Sequence, residues 1–298
     1  MISYLPVPND DRPVLIAGPT ASGKSALALE IAQAQGRAIV NADALQVHDT
    51  WRVLSARPTQ EDESLAPHLL YGHVARGIDY SVGHWLRDVA AVMARHPNPV
   101  IIGGTGLYFT ALTEGLAEIP PTRPDIRAEA DAILTRQGLQ TLLDALDDET
   151  ARRIDTRNPA RVQRAWEVLR TTGRGLADWQ DNTGAALLPI AQTHALALMP
   201  DKAWLNDRID QRFALMLEQG ALVEAQAALP HWPEDAGTST APLWTRAIGA
   251  SELVAHVQGH MSLEDAQTSA TLATRQYAKR QRSWFRNRMR AWKTVALP

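Results

Sequence analysis

The stretch GPTASGKS at residues 18–25 decides the fold, because it fits the phosphate-loop pattern G-x-x-x-x-G-K-[ST]. The apolar run at 13–17 predicts a buried strand before it, and residues 25–35 after it have helical periodicity. In such a loop, backbone N–H groups converge on phosphate oxygens and the helix N-terminus adds positive potential. We therefore predict that Lys24 faces a phosphate and that the Ser25 hydroxyl is a ligand of Mg²⁺.

Short apolar strands alternate with helices along the rest of the chain, which predicts an α/β fold with a parallel sheet flanked by helices. Further strands are predicted at 38–40, 100–102 and 194–198, and helices at 82–95, 127–137, 139–146, 149–154, 159–171, 201–219, 221–228 and 243–258. A proline-rich stretch begins at residue 119 and is followed by helical patterns alone. We therefore expect a P-loop core of residues 1–118 and 191–298 and an all-helical insertion domain at 119–190.

The composition is that of a globular chain of one large or two ordinary domains: 298 residues, 45% hydrophobic and 21% charged. Cysteine is absent, which excludes a disulfide framework, a cysteine-ligated metal site and thiol catalysis. No apolar run approaches the roughly 18 residues of a membrane span. The first 12 residues lack the pattern of a targeting signal, so we expect a cytoplasmic protein that contacts no membrane.

The formal net charge of −3 conceals two basic segments. Residues 275–293 contain eight basic side chains and no acidic one, and residues 152–174 contain seven arginines against two acidic residues. Together they carry +13, which leaves −16 for the other 256 residues. The C-terminal segment fits an ordinary amphipathic helix with a solvated basic face, but uncompensated basic helices more often face a polyanion, and we favour phosphate contact.

A carboxylate also follows the second predicted strand, at Asp43. P-loop nucleotide hydrolases usually place the magnesium-binding aspartate after an apolar strand, whereas the third predicted strand here ends in Gly103-Gly104-Thr105. Asp43 therefore has three interpretations: a magnesium ligand acting through water, a general base beside the phosphates, or a turn aspartate without a chemical role.

Five motifs together closely resemble the bacterial tRNA dimethylallyltransferases, also called tRNA isopentenyltransferases. They are GPTASGKS at 18–25, NADALQV at 41–47, GGTGLYF at 103–109, IDTRNPARVQRAWEV at 154–168 and ATRQYAKRQRSWFR at 273–286. The resemblance implies transfer of a dimethylallyl group from dimethylallyl diphosphate to N6 of the adenosine immediately 3′ of the anticodon. It also implies Mg²⁺ as cofactor and the anticodon stem-loop of tRNA as partner, and we expect a monomer.

The resemblance assigns roles to individual residues. Asp43 is the implied general base and Thr105 the hydroxyl that assists the leaving diphosphate. Diphosphate binding is implied for Gly18, Pro19, Thr20, Ala21, Ser22, Gly23, Lys24, Ser25 and Arg212. Contact with tRNA is implied for Asp43, Ala44, Leu45, Gln46, Thr105, Arg127, Ala160, Arg161, Val162, Gln163, Arg164, Arg246, Ala247, Ile248, Gly249, Ala250 and Ser251, and we add Arg275, Lys279 and Arg282 from the basic C-terminal segment.

The sequence departs from the family pattern at surfaces that recognise the substrate. Ala44 stands where serine is usual, and His48 where tyrosine is usual, so that His48 is either a base-contacting residue or an ordinary loop histidine. Two other functions compete with prenyl transfer. A P-loop kinase of a small molecule or nucleotide would use the same loop but leaves the basic segments unexplained, and an RNA-binding protein with a vestigial site leaves the intact loop unexplained.

Overall fold

The computed structural model describes residues 10–238 and 241–297, and its centre is a six-stranded sheet. The strands are β1 (Val14–Ala17), β2 (Ile39–Asn41), β3 (His68–Leu69), β4 (Val100–Gly103), β5 (His194–Pro200) and β6 (Lys293–Leu297). Their order across the sheet is β3-β2-β4-β1-β5-β6, and every pairing is parallel. The predicted parallel sheet is therefore confirmed.

Helices connect and follow these strands. They are α1 (Lys24–Gln35), α2 (Gln60–Leu65), α3 (Val82–Met93), α4 (Gly106–Glu114), α5 (Pro124–Gln137), α6 (Leu139–Asp144), α7 (Asp148–Arg153), α8 (Pro159–Thr172), α9 (Leu176–Asp181), α10 (Lys202–Glu218), α11 (Ala221–Ala228), α12 (Ala250–Val257) and α13 (Leu263–Arg288). Among the described residues, no helix is long and apolar enough to cross a membrane.

The sheet is buried on both faces, which explains why its strands are continuous apolar runs in the sequence. Alternate residues of one strand enter different cores: Leu15 packs in one cluster with Val40, whereas Val14 and Ile16 pack in another with α1. Helices on both sides of a parallel sheet leave its carboxyl edge open to ligands. The ends of β2, β4 and β1 are neighbours at that edge.

Two sequence-based expectations about the last third of the chain are wrong. The helix predicted at 243–258 is interrupted: Leu243–Arg246 form a 3-10 turn, and Gly249 at φ +91° precedes α12. A Cβ at Gly249 would lie 2.9 Å from the ring of Phe213, so the chain approaches α10 too closely there for another residue. The basic segment 275–293 is also not one helix, because α13 ends at Arg288 and Lys293 opens β6.

The chain divides into two compact units, Met1–Thr113 with Leu187–Pro298, and Glu114–Ala186. The boundaries expected from the sequence, 119 and 190, come a few residues later than those of the second unit in the structure. The second unit contains α5 to α9 and has its own core, in which Ile126, Leu142 and Trp166 pack together. Residues 1–9, which form most of the segment on which the expectation about targeting rests, lie outside the described residues, as do 239, 240 and 298.

Candidate active site

The phosphate loop joins β1 to α1 at the carboxyl edge of the sheet. Gly23 precedes α1 at φ +85°, a conformation in which other residues are strained. The Ser22 side chain is fully buried, and its Oγ has no hydrogen-bond partner among the described residues. The first turn of α1 has no acidic side chain, so the positive end of the helix is not neutralised locally. The loop thus has the polarity and the spare donor that an anion needs.

Two cations lie close to the Asp43 carboxylate. Burial lowers the pKa of Lys24 to about 8, while the charge of Asp43 raises it and that of Arg212 lowers it further. Burial also lowers the pKa of Arg212, and Asp43 opposes that shift. Because one carboxylate neutralises one cation, the group retains positive charge in a desolvated place, which an anionic ligand would stabilise.

Asp43 is held by a tight turn after β2. Its N–H donates to Asn41 Oδ1 at 2.9 Å, and Asn41 Nδ2 donates back to the Asp43 carbonyl oxygen at 3.0 Å. One carboxylate oxygen, Oδ1, accepts the Leu45 N–H at 3.0 Å. The other, Oδ2, has no hydrogen bond given to it among the described residues, so it is available to receive a proton from a ligand.

Thr105 follows β4 and contacts the same turn. Its Oγ1 accepts the Ala44 N–H at 2.9 Å, and its own N–H donates to the Ala42 carbonyl oxygen at 3.3 Å. Gly103 makes this approach possible, because a Cβ there would lie 1.9 Å from the Ala42 carbonyl oxygen. With Oγ1 acting as an acceptor, the hydroxyl hydrogen of Thr105 remains free to donate to a ligand.

A cleft of about 630 Å³, which includes solvent at its mouth, opens beside these groups. Its polar end contains Thr20, Asp43 and Arg212. The rest of its lining is mostly apolar and consists of Leu45, Leu54, Ser55, Ile209, Phe213, Met216, Ala247, Ile248, Thr274 and Tyr277. Such a cleft suits a ligand with an anionic head and a short apolar body.

Gln46 supports one wall of the cleft through the loop that follows it. Its Nε2 donates to the carbonyl oxygens of Ser55 and Ala56, both at 2.9 Å, which leaves Oε1 as its free acceptor. His48 is 2% exposed, does not line the cleft, and has no partner at either ring nitrogen among the described residues. The interpretation of His48 as a loop histidine is therefore the one the structure favours.

Glu224 of α11 holds the same loop, and sequence reasoning missed it. Its carboxylate accepts three consecutive backbone N–H groups: Oε1 those of Arg52 and Val53 at 2.8 Å, and Oε2 that of Leu54 at 3.0 Å. Nothing local in the sequence signals this contact, because about 170 residues separate the partners. Glu224 fixes the backbone that carries Leu54 and Ser55 into the cleft.

The segment 246–251 divides between the cleft and the core. Ala247 and Ile248 line the cleft, and Arg246 Nη2 donates to the Ala241 carbonyl oxygen at 3.0 Å. Ala250 is fully buried, so its side chain offers no surface to an RNA, whereas Ser251 is exposed. Gly249 is fixed against Phe213.

In the insertion unit, the expected RNA-contacting residues of α8 differ in their availability. Ala160 and Arg161 are exposed, and the Arg161 side chain has no partner among the described residues. Val162 is fully buried and cannot meet an RNA. The other two, Gln163 and Arg164, surround the buried Glu167 carboxylate together with Arg127 of α5. Gln163 donates to it at 3.2 Å, and Arg127 and Arg164 form ion pairs with it at 3.6 and 3.9 Å.

The basic residues of α13 are likewise unequal. Arg275 is paired with Asp210, and the Arg282 Nε is buried without a partner among the described residues. Lys279 is exposed, and Arg280 is exposed with its guanidinium 5.7 Å from the centre of the Tyr277 ring. The exposed cations of this helix are the ones that can meet a polyanion.

No group of three or more His, Asp or Glu side chains in the described part of the chain could hold a metal ion. Ser25 is exposed at the start of α1, next to Lys24. A hydroxyl at that place fits Mg²⁺, which keeps several water ligands and is commonly held by few protein groups together with substrate phosphates.

Comparison with known proteins agrees with the motifs. The IPP transferase family matches residues 46–288, and the isopentenyl transferase family matches residues 12–71. A tRNA dimethylallyltransferase of Cereibacter sphaeroides is 61% identical over all 298 residues and the whole length of that relative. One of Paracoccus denitrificans is 59% identical, covering 96% of this chain and 95% of the relative.

Solved structures show the same fold. The full-length tRNA isopentenylpyrophosphate transferase of Bacillus halodurans is 27% identical with a TM-score of 0.65, covering 96% of this chain and 90% of that one. A structure described as a eukaryotic dimethylallyltransferase acting on tRNA has a TM-score of 0.80 at 23% identity, covering 96% of this chain and 74% of that one. The expected P-loop core is thereby confirmed. The chain belongs to the tRNA dimethylallyltransferase family of IPP transferases.

Proposed function

We propose that this protein transfers the dimethylallyl group of dimethylallyl diphosphate to N6 of the adenosine immediately 3′ of the anticodon in tRNA. The observation that carries the proposal is the meeting of three loops at one edge of the sheet. The phosphate loop, the Asp43 turn and Thr105 follow the adjacent strands β1, β2 and β4. Beside them, the cleft combines Asp43 and Arg212, which lie close together, with a mostly apolar lining.

The donor occupies this cleft with its diphosphate at the polar end. Lys24, Arg212 and the N-terminus of α1 attract the negative charge, and the buried Ser22 Oγ is a spare donor. The C5 chain lies along the apolar lining. This arrangement stabilises charge that develops on the diphosphate as the allylic C–O bond breaks, and stabilising a leaving group in that way accelerates the reaction.

In the transfer, a bond forms between N6 and the allylic carbon while the C–O bond to the diphosphate breaks and its electron pair leaves with the diphosphate. The proton lost from N6 passes to Asp43 Oδ2, the oxygen without a hydrogen bond. The Thr105 hydroxyl donates to the departing diphosphate. An exocyclic amine is a weak nucleophile, so alignment of the two substrates contributes as much as proton removal.

A magnesium ion bound by the Ser25 hydroxyl and by diphosphate oxygens would neutralise part of the leaving group's charge. The protein's own side chains perform the other steps: Asp43 accepts the N6 proton, and Thr105 donates a hydrogen bond to the diphosphate.

The acceptor adenosine must leave the anticodon loop stack to reach Asp43. Gln46, three residues after Asp43, keeps its Oε1 free to accept a hydrogen bond from the base. Exposed cations, among them Arg161 and Lys279, contact RNA phosphates and set the position of the tRNA, as phosphate contacts generally do.

A transfer assay tests the proposal. Purified protein, Mg²⁺ and dimethylallyl diphosphate are incubated with an unmodified anticodon stem-loop that has adenosine immediately 3′ of the anticodon, and the RNA is weighed by mass spectrometry. We expect a gain of one C5H8 unit. The matched control RNA has guanosine at that one position and should gain nothing. An unchanged mass for both RNAs, together with ATP-dependent phosphorylation of a small molecule, would establish the kinase alternative instead.

A further inference from the structure

Gln281 of α13 connects two of the three loops that form the site. The residue is buried, with 5% of its surface exposed. Its Oε1 accepts the N–H of Thr20 in the phosphate loop at 3.0 Å, and its Nε2 donates to the carbonyl oxygen of Gly104 at 2.9 Å. A single side-chain amide thus joins the loop after β1 to the loop after β4.

The surroundings of Gln281 make this bridge specific. On α13, the residue lies on the same buried face as Ala278 and Phe285, where an apolar side chain would be ordinary. A buried amide is costly unless its polar atoms are paired, and here both are paired with backbone groups of other segments. At Gly104, a Cβ would lie 2.2 Å from Gln281 Nε2, so the loop and the helix are in direct contact.

We infer that Gln281 is a positioning residue, which sets the separation between the diphosphate-binding loop and the loop that carries Thr105. The inference rests on the proposed function. Thr20 lines the polar end of the cleft, and Thr105 comes directly after Gly104. Under the proposed function both loops contact the leaving diphosphate, so a change in their separation misaligns the donor with Asp43, and a displacement of roughly 1 Å can cost about 100-fold in rate.

The geometry requires one acceptor and one donor at this place. Gln281→Met has a similar volume and removes both hydrogen bonds. Gln281→Glu keeps an acceptor for Thr20 N–H but places carboxylate oxygen against the Gly104 carbonyl oxygen, so it retains one connection only. The control is Gln276→Met, the same substitution at an exposed position of the same helix.

The experiment measures single-turnover prenyl transfer, KM for the stem-loop and thermal unfolding for all four proteins, and dimethylallyl diphosphate affinity by calorimetry. We expect Gln281→Met to slow transfer by about 10- to 100-fold while KM for RNA stays within about twofold. Gln281→Glu should bind the donor no more tightly than Gln281→Met, because its carboxylate adds negative charge beside the phosphate loop, and it should also be slow in transfer. Gln276→Met should match the wild type.

Wild-type transfer rates in folded Gln281→Met or Gln281→Glu would overturn the inference. A merely structural role would lower the thermal midpoint and the amount of active protein without changing the rate per active site, and that result would overturn it too. Should Gln281→Met fail to fold, Gln281→Glu decides alone. Absence of transfer by the wild type refutes the proposed function instead, and donor affinity then decides the inference: equal affinity in wild type and Gln281 variants would overturn it.

Discussion

The affinity of this protein for dimethylallyl diphosphate should fall as the pH rises above about 8. Burial lowers the pKa of Lys24 from 10.5 to about 8 in the free protein. A bound diphosphate supplies the negative charge that the buried ammonium lacks, so the pKa of Lys24 in the complex returns toward its ordinary value. Below pH 8, Lys24 is protonated in both states. Above pH 8, the protein must take up a proton in order to bind.

Proton linkage gives the size of the effect. If the pKa of Lys24 in the complex is 10.5, the ordinary value, the association constant at pH 9 is about tenfold below that at pH 7. This difference corresponds to about 1.4 kcal/mol. Each binding event at pH 9 takes up about 0.9 proton, whereas uptake at pH 7 is close to zero.

Isothermal titration calorimetry at pH 7, 8 and 9, in pairs of buffers with different ionisation enthalpies, measures both quantities. Lys24→Arg is the matched control, because a guanidinium remains protonated throughout this range. Its affinity will be lower if the larger, planar head fits poorly, but its pH profile should be flat apart from the titration of the donor itself. The reasoning fails if wild type and Lys24→Arg have the same pH profile, or if wild type takes up no proton at pH 9.

Three further predictions concern other parts of the site. Asp43→Asn should lower kcat about 100-fold or more while stem-loop affinity, measured by filter binding, stays within about twofold; near-normal kcat would remove Asp43 as the base. Arg161→Ala should weaken tRNA binding and reduce the slope of log affinity against log salt by about 1. Arg157→Ala, the control, removes an exposed arginine that pairs with an aspartate and should change the slope less. Equal slopes in wild type and Arg161→Ala would show that Arg161 is an ordinary solvated residue that does not contact RNA. Glu224→Gln should lower the unfolding free energy by about 1–3 kcal/mol, because an amide cannot accept all three N–H groups, and an unchanged midpoint in denaturant would contradict that role.

Sequence reasoning found the site residues that lie directly after strands. The phosphate loop carries its own pattern, and Asp43 and Thr105 follow short apolar runs that read as strands. In the sheet, β4 lies between β2 and β1, which makes the three strand ends neighbours. The spacing of the motifs along the sequence does not predict this order. Strand order depends on the crossover connections of the whole sheet, and the resemblance to a family substituted for that information.

Residues that act across the chain had no such signal. Gln281 lies 261 residues from Thr20. It stands in a segment rich in basic side chains, which predicts contact with a polyanion and gives no sign of a buried amide. The one local sign is that Gln281 occurs at helical spacing between Ala278 and Phe285, so that a polar side chain interrupts an apolar stripe. Gly249 is similar, because the close approach to Phe213 that breaks the predicted helix involves a different helix.

The two basic segments differ in how many of their cations already form ion pairs within the protein. Six of the seven arginines in 152–174 form ion pairs: Arg152, Arg153, Arg157, Arg164, Arg170 and Arg174. In 275–293, the one ion pair within the described residues is that of Arg275. The net charge of +13 therefore overstates the number of cations that can bind RNA phosphates without first breaking an ion pair in the protein. Exposed ion pairs contribute only about 0–1 kcal/mol each, so RNA phosphates can replace the acidic partners. Each replacement leaves a carboxylate without its arginine, and the negative charge of that carboxylate repels the RNA. The unpaired cations of α13, and Arg161 in the insertion, should consequently dominate the salt dependence of tRNA binding.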